Sequence, residues 1–133
     1  MLTRRHIRVK VMQCIYALVQ SKDDSLEKQE KFLKVSIENM YVLYLLMLSL
    51  LKELHAMAKY RTEQASKKYL ATEEDSFPNP KKFVENQLLL QIAENPLLEQ
   101  EWSKRKLNNW DLNSDYIKIL YKEILASDAY QAY

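Results

Sequence analysis

The chain of 133 residues contains no glycine. Glycine normally supplies the positive backbone angles of tight hairpin turns, strand bulges and phosphate-binding loops. Its absence argues against a β-sheet architecture, and it excludes the Walker and Rossmann phosphate-binding motifs, which require glycine. We therefore expect an all-α helical bundle. The length fits a single domain over residues 1–133 with one hydrophobic core.

Composition limits the classes of function. Hydrophobic residues make up 47% of the chain, and the net charge is only +2. The protein as a whole is therefore not a basic nucleic-acid coat, and any binding of anions must come from local patches. Cys14 is the only cysteine, which excludes an intrachain disulfide and a cysteine-based zinc site.

No catalytic constellation is evident. His6 and His55 lack companions at metal-ligand spacing. No hydroxyl or thiol has a recognisable set of partners for nucleophilic catalysis, and the carboxylates look like surface salt-bridge residues. We expect a protein that is not an enzyme, with no catalytic residues, no metal and no cofactor.

Hydrophobic periodicity predicts about five helices. The first covers residues 3–20, with Thr3 as its N-cap. A loop follows at residues 72–82, and further helices are predicted over residues 80–94, 97–106 and 116–127. Residues 128–133 resemble the start of another helix. The positions predicted to face the core are Ile7, Val11, Cys14, Ile15 and Leu18, then Phe83, Val84, Leu88 and Ile92, and finally Ile117, Leu120, Tyr121 and Ile124.

Residues 25–71 are predicted to form either one very long second helix or two helices stacked with little break, and Asn39 is the candidate position for a kink or break. Leu26, Leu33, Met40, Met47 and Leu54 recur every seven residues, as expected for core packing. A second series with the same spacing consists of Ile37, Tyr44, Leu51 and Ala58. The apolar run at residues 41–51 is about half the ~20 residues needed to span a bilayer. We interpret it as a buried core helix of a cytoplasmic protein that has no membrane segment.

The start of the first helix is unusually basic. Arg4, Arg5, Arg8 and Lys10 lie there with His6, and no acid occurs in the first 22 residues. A helix N-terminus carries partial positive charge, so cations are mildly unfavourable at this end. A solvated helix end is the simplest interpretation. The placement nevertheless favours a role in holding an external anion, and nucleic-acid phosphate fits best.

Aromatic and apolar residues continue from this basic end. Val9, Met12 and Tyr16 align with Arg5 on the side of the helix opposite its predicted core face. That side is either a second buried face or a surface for a partner. Because Tyr16 could stack on a base while the arginines meet phosphates, the pattern favours single-stranded RNA. For Trp102 and Trp110, anchoring in the core is the default prediction.

The segment RRHIRVKVMQCIYAL, residues 4–18, resembles the first helix of the NusB family of bacterial transcription antitermination factors. Arg4, Arg5, Arg8, Gln13 and Tyr16 stand in the places of the family's arginine-rich stretch, Gln and Tyr. The resemblance implies an all-helical protein that is not an enzyme. It also implies binding to the boxA element of nascent RNA, together with a small-subunit ribosomal protein and the RNA polymerase elongation complex.

The same resemblance implies roles for individual residues. It places Arg4, Arg5, Arg8 and Tyr16 against RNA and gives Gln13 a structural or contact role. We add His6 and Lys10 to the RNA-binding set, and Val9 and Met12 to the supporting or partner-contacting set. The LYLLML section resembles the third helix of the family, and FPNPKKFVENQLL suggests a long variant.

The chain also departs from the family. Val9 stands where the family usually has an acid, and no part matches the family's carboxyl-terminal half. We therefore expect an amino-terminal fragment of a longer protein, able to self-associate over uncovered apolar faces. Two alternatives stay open: a helical protein-interaction module without RNA binding, and an accessory RNA-binding domain of an RNA methyltransferase.

Overall fold

The computed structural model of the protein describes residues 3–21, 25–67 and 81–133. Within those ranges the chain forms helices and no strand, so the all-α prediction is confirmed. Eight helices are present there. They exceed the five predicted because one predicted helix is divided, one short helix is added at residues 109–112, and the predicted helix start at residues 128–133 is a helix. They are α1 (Arg4–Ser21), α2 (Leu26–Lys67), α3 (Lys81–Val84), α4 (Gln87–Ala93), α5 (Pro96–Arg105), α6 (Asn109–Leu112), α7 (Ser114–Ala126) and α8 (Asp128–Ala132).

Helix α1 begins directly after Thr3, as predicted. The Thr3 carbonyl accepts a hydrogen bond from the Ile7 N–H at 3.3 Å. The Thr3 backbone N–H donates to His6 Nδ1 at 3.3 Å, and Thr3 Oγ1 lies 2.9 Å from the same nitrogen. His6 thus helps to satisfy the polar groups at the start of the helix, where unpaired N–H groups would otherwise rely on water.

Helix α2 is one continuous helix of 42 residues. At 1.5 Å per residue it extends for about 63 Å. Residues 68–71 of the predicted segment, and residues 72–80 of the predicted loop, lie outside the described residues.

By length and composition alone α2 could cross a membrane: its most apolar window has a mean hydropathy of 1.4, and 17% of that window is buried. A core helix of a soluble protein meets the same criteria.

The chain divides into two compact units, residues 1–45 and 46–133. The first unit consists of α1 and the beginning of α2, and its described residues bury only two apolar side chains, Cys14 and Leu45. The predicted core face of α1 is correct at Cys14, while Val11 and Leu18 are half-buried. It is wrong at Ile7 and Ile15, which are exposed. A unit of two helices has a single helix–helix interface, so the side chains of α1 and α2 that lie outside this interface remain in contact with solvent.

The second unit has a well-formed core. Leu50, Leu54 and Ala58 of α2 pack against Ile117 and Tyr121 of α7. The Phe83 ring meets the Tyr121 ring edge-to-face, with centroids 5.7 Å apart. The buried Tyr121 hydroxyl has no hydrogen-bond partner among the described residues. The positions predicted inward on α7 are confirmed at Ile117 and Tyr121.

The predicted helix over residues 80–94 is interrupted. Asn86 divides it, because its side-chain oxygen accepts hydrogen bonds from the N–H groups of Leu88 at 3.0 Å and Leu89 at 3.2 Å. This is N-cap geometry, and it starts the new helix α4. The restart changes which side faces inward. Leu88, predicted to be inward, is exposed, and Leu89 is buried in its place.

The long heptad pattern has two outcomes along α2. Leu54 and Ala58 are buried as predicted, whereas Leu26, Tyr44 and Met47 are exposed. The apolar run at residues 41–51 is likewise buried at only some positions, since Leu45 and Leu50 are enclosed but Leu43 is exposed. The expectation of a fully buried core helix is therefore wrong for this run. Its composition is apolar on every side, and neighbouring helices cover only part of it.

Candidate nucleic-acid interface

The basic end of α1 is exposed, and its charges are not neutralised by nearby acids. Arg4, Arg5 and Arg8 are all exposed, and the first turn of α1 contains no acidic residue. Among the described residues, no carboxylate lies within 4.0 Å of these arginines or of Lys10. The partial positive charge of the helix N-terminus adds to theirs, so this end of the helix attracts anions.

One side of α1 combines cations with apolar and aromatic groups. With about 100° between successive residues, Arg5, Val9, Met12 and Tyr16 fall on the side opposite the buried Cys14, and Arg8 lies at its border. Arg5, Arg8, Val9 and Met12 line one open depression of about 400 Å³. We call the set of Arg5, Arg8, Val9, Met12 and Tyr16 the α1 face.

Exposure of the α1 face decides between the two interpretations left open by the sequence. Met12 is 72% exposed and Tyr16 is 66% exposed, and Val9 is also exposed. The α1 face is therefore not a second buried face. An exposed aromatic ring beside uncompensated arginines is an arrangement that can stack on a base and contact phosphates together.

The other predicted residues are placed less uniformly. Gln13 is exposed next to the α1 face, and Arg4 lies to one side of it. The Nδ1 atom of His6 forms hydrogen bonds with Thr3, so Nε2 is the ring nitrogen that could contact a ligand. Lys10 is half-buried and lies on the Cys14 side of the helix, about 140° around the axis from Arg5. The α1 face therefore contains five of the predicted residues, while Arg4, His6, Lys10 and Gln13 lie outside it.

A second concave surface, in the second unit, was not anticipated from the sequence. Residues of α2, α5 and α6, with the turn between the last two, line a cleft of about 420 Å³. Trp102 is buried at its wall, as predicted for a core anchor. The Trp110 Nε1–H donates to the Leu46 carbonyl at 3.1 Å and to Ser49 Oγ at 3.0 Å. Trp110 thus meets residues 64 and 61 positions away in the chain, which no local sequence pattern reports.

Glu53, which lines this cleft, has a raised pKa. Burial raises the pKa of its carboxyl, and the negative charges of Asp111 and Glu99 raise it further, while the ammonium of Lys52 opposes the change. In the described part of the chain, no group of three or more His, Cys, Asp or Glu side chains could hold a metal ion. His55 is buried, and its Nε2 lies 3.0 Å from the Val84 carbonyl oxygen.

Compared with known proteins, the chain matches no family model, no curated protein and no solved structure. A function for the chain must therefore be argued from the α1 face.

Proposed function

We propose that the protein binds single-stranded RNA through the α1 face and acts as a transcription antitermination factor of the NusB type. One observation carries this proposal. The exposed arginines at the start of α1 have no carboxylate within 4.0 Å among the described residues, and Tyr16 is exposed on the same side of the helix. The arginines supply positive charge for RNA phosphates, and the exposed tyrosine ring supplies a surface on which a base can stack.

The partners in this proposal follow from the resemblance. The RNA is a boxA-like element, the protein partner is the small-subunit ribosomal protein of the antitermination complex, and the target is the RNA polymerase elongation complex. The location is cytoplasmic. In this scheme Val9, Met12 and Gln13 lie beside the RNA-binding arginines, where they support the RNA strand or contact the protein partner.

Fluorescence anisotropy with a short boxA-like RNA over a salt series tests the proposal. Three to five phosphate contacts give a log–log slope of affinity against salt of about −2 to −3.5 for a single strand. Arg5→Ala combined with Arg8→Ala should weaken binding and flatten the slope by about 1.4. Circular dichroism should show an unchanged helix content, because cations at a helix N-terminus do not stabilise it.

A matched control removes the same charge elsewhere. Lys59 and Lys67 are exposed lysines of α2 in the second unit. Lys59→Ala with Lys67→Ala lowers the net charge equally and should leave the affinity within about twofold, because long-range attraction is screened beyond ~10 Å. Equal losses in both double variants, or binding that does not depend on salt, would contradict the proposal.

A protein-interaction module is the second candidate function. The exposed apolar members of the α1 face, Val9, Met12 and Tyr16, support it, because an apolar helix stripe can enter the groove of a partner. The test is to measure by calorimetry whether the protein binds the purified, nuclease-treated ribosomal protein. Met12→Glu should abolish that binding, whereas Arg5→Ala with Arg8→Ala should leave it unchanged.

A further inference from the structure

The cleft of the second unit already holds an ammonium group of the protein itself. Lys52 Nζ lies 5.1 Å from the centre of the Trp102 ring and forms an ion pair with Glu99. A cation over an indole face is attracted by the negative charge of the π-system, and tryptophan is the best aromatic side chain for this contact. One end of the cleft is therefore an ammonium-binding site that the Lys52 side chain of the protein itself occupies.

The rest of the cleft has the same kinds of groups as the site of Lys52. Trp110 supplies a second indole, and Glu53 and Asp111 supply two carboxylates. Within the described residues, neither carboxylate has a hydrogen bond or a cation within 4.0 Å. Lys106, the other lysine lining the cleft, forms no ion pair there. Two carboxylates that share a partly buried site repel each other until a cation joins them.

The size of the cleft admits more than a solvent ion. Its volume of about 420 Å³ falls within the ~300–1,000 Å³ typical of small-molecule sites. An alkyl chain could contact the indole rings while its charged end reaches the carboxylates, which is how the Lys52 side chain is placed against Trp102 and Glu99.

We propose that this cleft binds a primary alkylammonium group, held by Glu53 and Asp111 against Trp110, in the arrangement that Lys52 makes with Glu99 and Trp102. The group belongs either to a free amine or to the lysine side chain of a partner protein. The site lies in the second unit and involves no residue of the α1 face, so it does not depend on RNA binding.

The two tryptophans make the site directly observable. Both tryptophans of the chain line the cleft. The full chain is titrated at constant ionic strength with two probes: n-butylammonium, for a free amine, and Nα-acetyl-lysine methylamide, for a lysine side chain. Binding of either probe should change the tryptophan fluorescence and shift the two indole N–H signals in a ¹⁵N NMR spectrum. We expect saturation at about 1–10 mM, in line with the ceiling for ligands with few atoms.

Three variants separate a site from general charge attraction. Glu53→Gln with Asp111→Asn should weaken binding at least about tenfold, the usual effect of losing hydrogen bonds to a charged group. Asp111→Asn alone changes an exposed side chain and should weaken binding about threefold even if the double variant unfolds. Glu123→Gln, the same chemical change on the exposed surface of α7, should have no effect.

The outcomes are distinguishable. Tighter binding of the lysine derivative than of butylammonium assigns the site to a protein side chain, and equal binding assigns it to a free amine. The proposal is overturned if 1-butanol gives the same titration, if the Asp111→Asn and Glu123→Gln variants bind equally, or if neither amine saturates the signal. Arg5→Ala with Arg8→Ala should leave the titration unchanged.

Discussion

The apolar stripe of α2 runs through both units of the chain, but it is buried in the second unit at Leu54 and exposed in the first at Leu26. Leu26 and Leu54 lie on α2 in the same heptad series, yet Leu26 is 73% exposed and Leu54 is 1% exposed. In the second unit, residues of α3, α6 and α7 pack around this stripe of α2. In the first unit, α1 is the one other described helix. A hydrophobic period thus identifies an apolar stripe, and the number of neighbouring helices decides whether the stripe is buried.

This difference also separates stability from binding. The second unit contains the packed core, so most of the free energy of unfolding should arise there. The first unit presents uncompensated cations and uncovered apolar side chains, which are features of an interaction surface. Substitutions on the α1 face should therefore change RNA binding with little change in stability, and those in the core of the second unit should do the opposite.

The largest expected effect tests this contrast with one substitution in each unit. Leu54→Ala should lower the free energy of unfolding by about 2–5 kcal/mol, because it leaves a cavity in a packed core. Leu26→Ala should change it by less than about 0.5 kcal/mol, because the side chain is exposed. Urea unfolding followed by circular dichroism measures both. Similar losses would show that the first unit is as well packed as the second.

Two tyrosines provide the next comparison. Tyr121 is buried, and its hydroxyl has no hydrogen-bond partner among the described residues. Tyr121→Phe should raise the free energy of unfolding by about 1 kcal/mol, because an unsatisfied buried donor is removed. Tyr16→Phe, at an exposed ring of the first unit, should leave stability unchanged and keep RNA stacking. Destabilisation by Tyr121→Phe would reveal a partner for that hydroxyl.

The smallest effect concerns two carboxylates on α2 whose pKa values move in opposite directions. Burial raises the pKa of Glu53 above 4.5, so its carboxyl favours the folded state below pH 4.5 and loses that contribution as the pH rises through the raised pKa. In the first unit, a hydrogen bond and the charge of Lys34 lower the pKa of Glu30. Its contribution is present above pH 4.5 and is lost as the pH falls through the lowered pKa.

Thermal unfolding at several pH values measures this pair. Glu53→Gln should raise the melting temperature at pH 7, with a gain that disappears near pH 4. Glu30→Gln should give no gain at pH 7, because it removes a favourable contact with Lys34, 2.6 Å away, that is exposed and weak. The interpretation fails if Glu53→Gln is destabilising at pH 7 or if both variants show the same dependence on pH.

Local patterns predicted much of the fold. The absence of glycine and the long periodic segments predicted the helices, and the helix predicted over residues 116–127 agrees with α7 (Ser114–Ala126) to within two residues at each end. The break at Asn86 was missed, because an asparagine inside an apolar period does not show that its side chain will cap a new helix. For the candidate site, the sequence predicted the cations and Tyr16 but grouped Lys10 with them, although it lies on the other side of α1.

The sequence by itself determined that this protein is helical, that its cations are concentrated at the start of α1 and that an apolar stripe runs along α2. These are consequences of local backbone preference and of spacing along one helix, which depend on near neighbours in the chain. Only the tertiary structure decided which part of that stripe is buried and where the two tryptophans and Glu53 meet. Burial and clefts depend on helices far apart in sequence, and their packing is not encoded in the periodicity of any one of them.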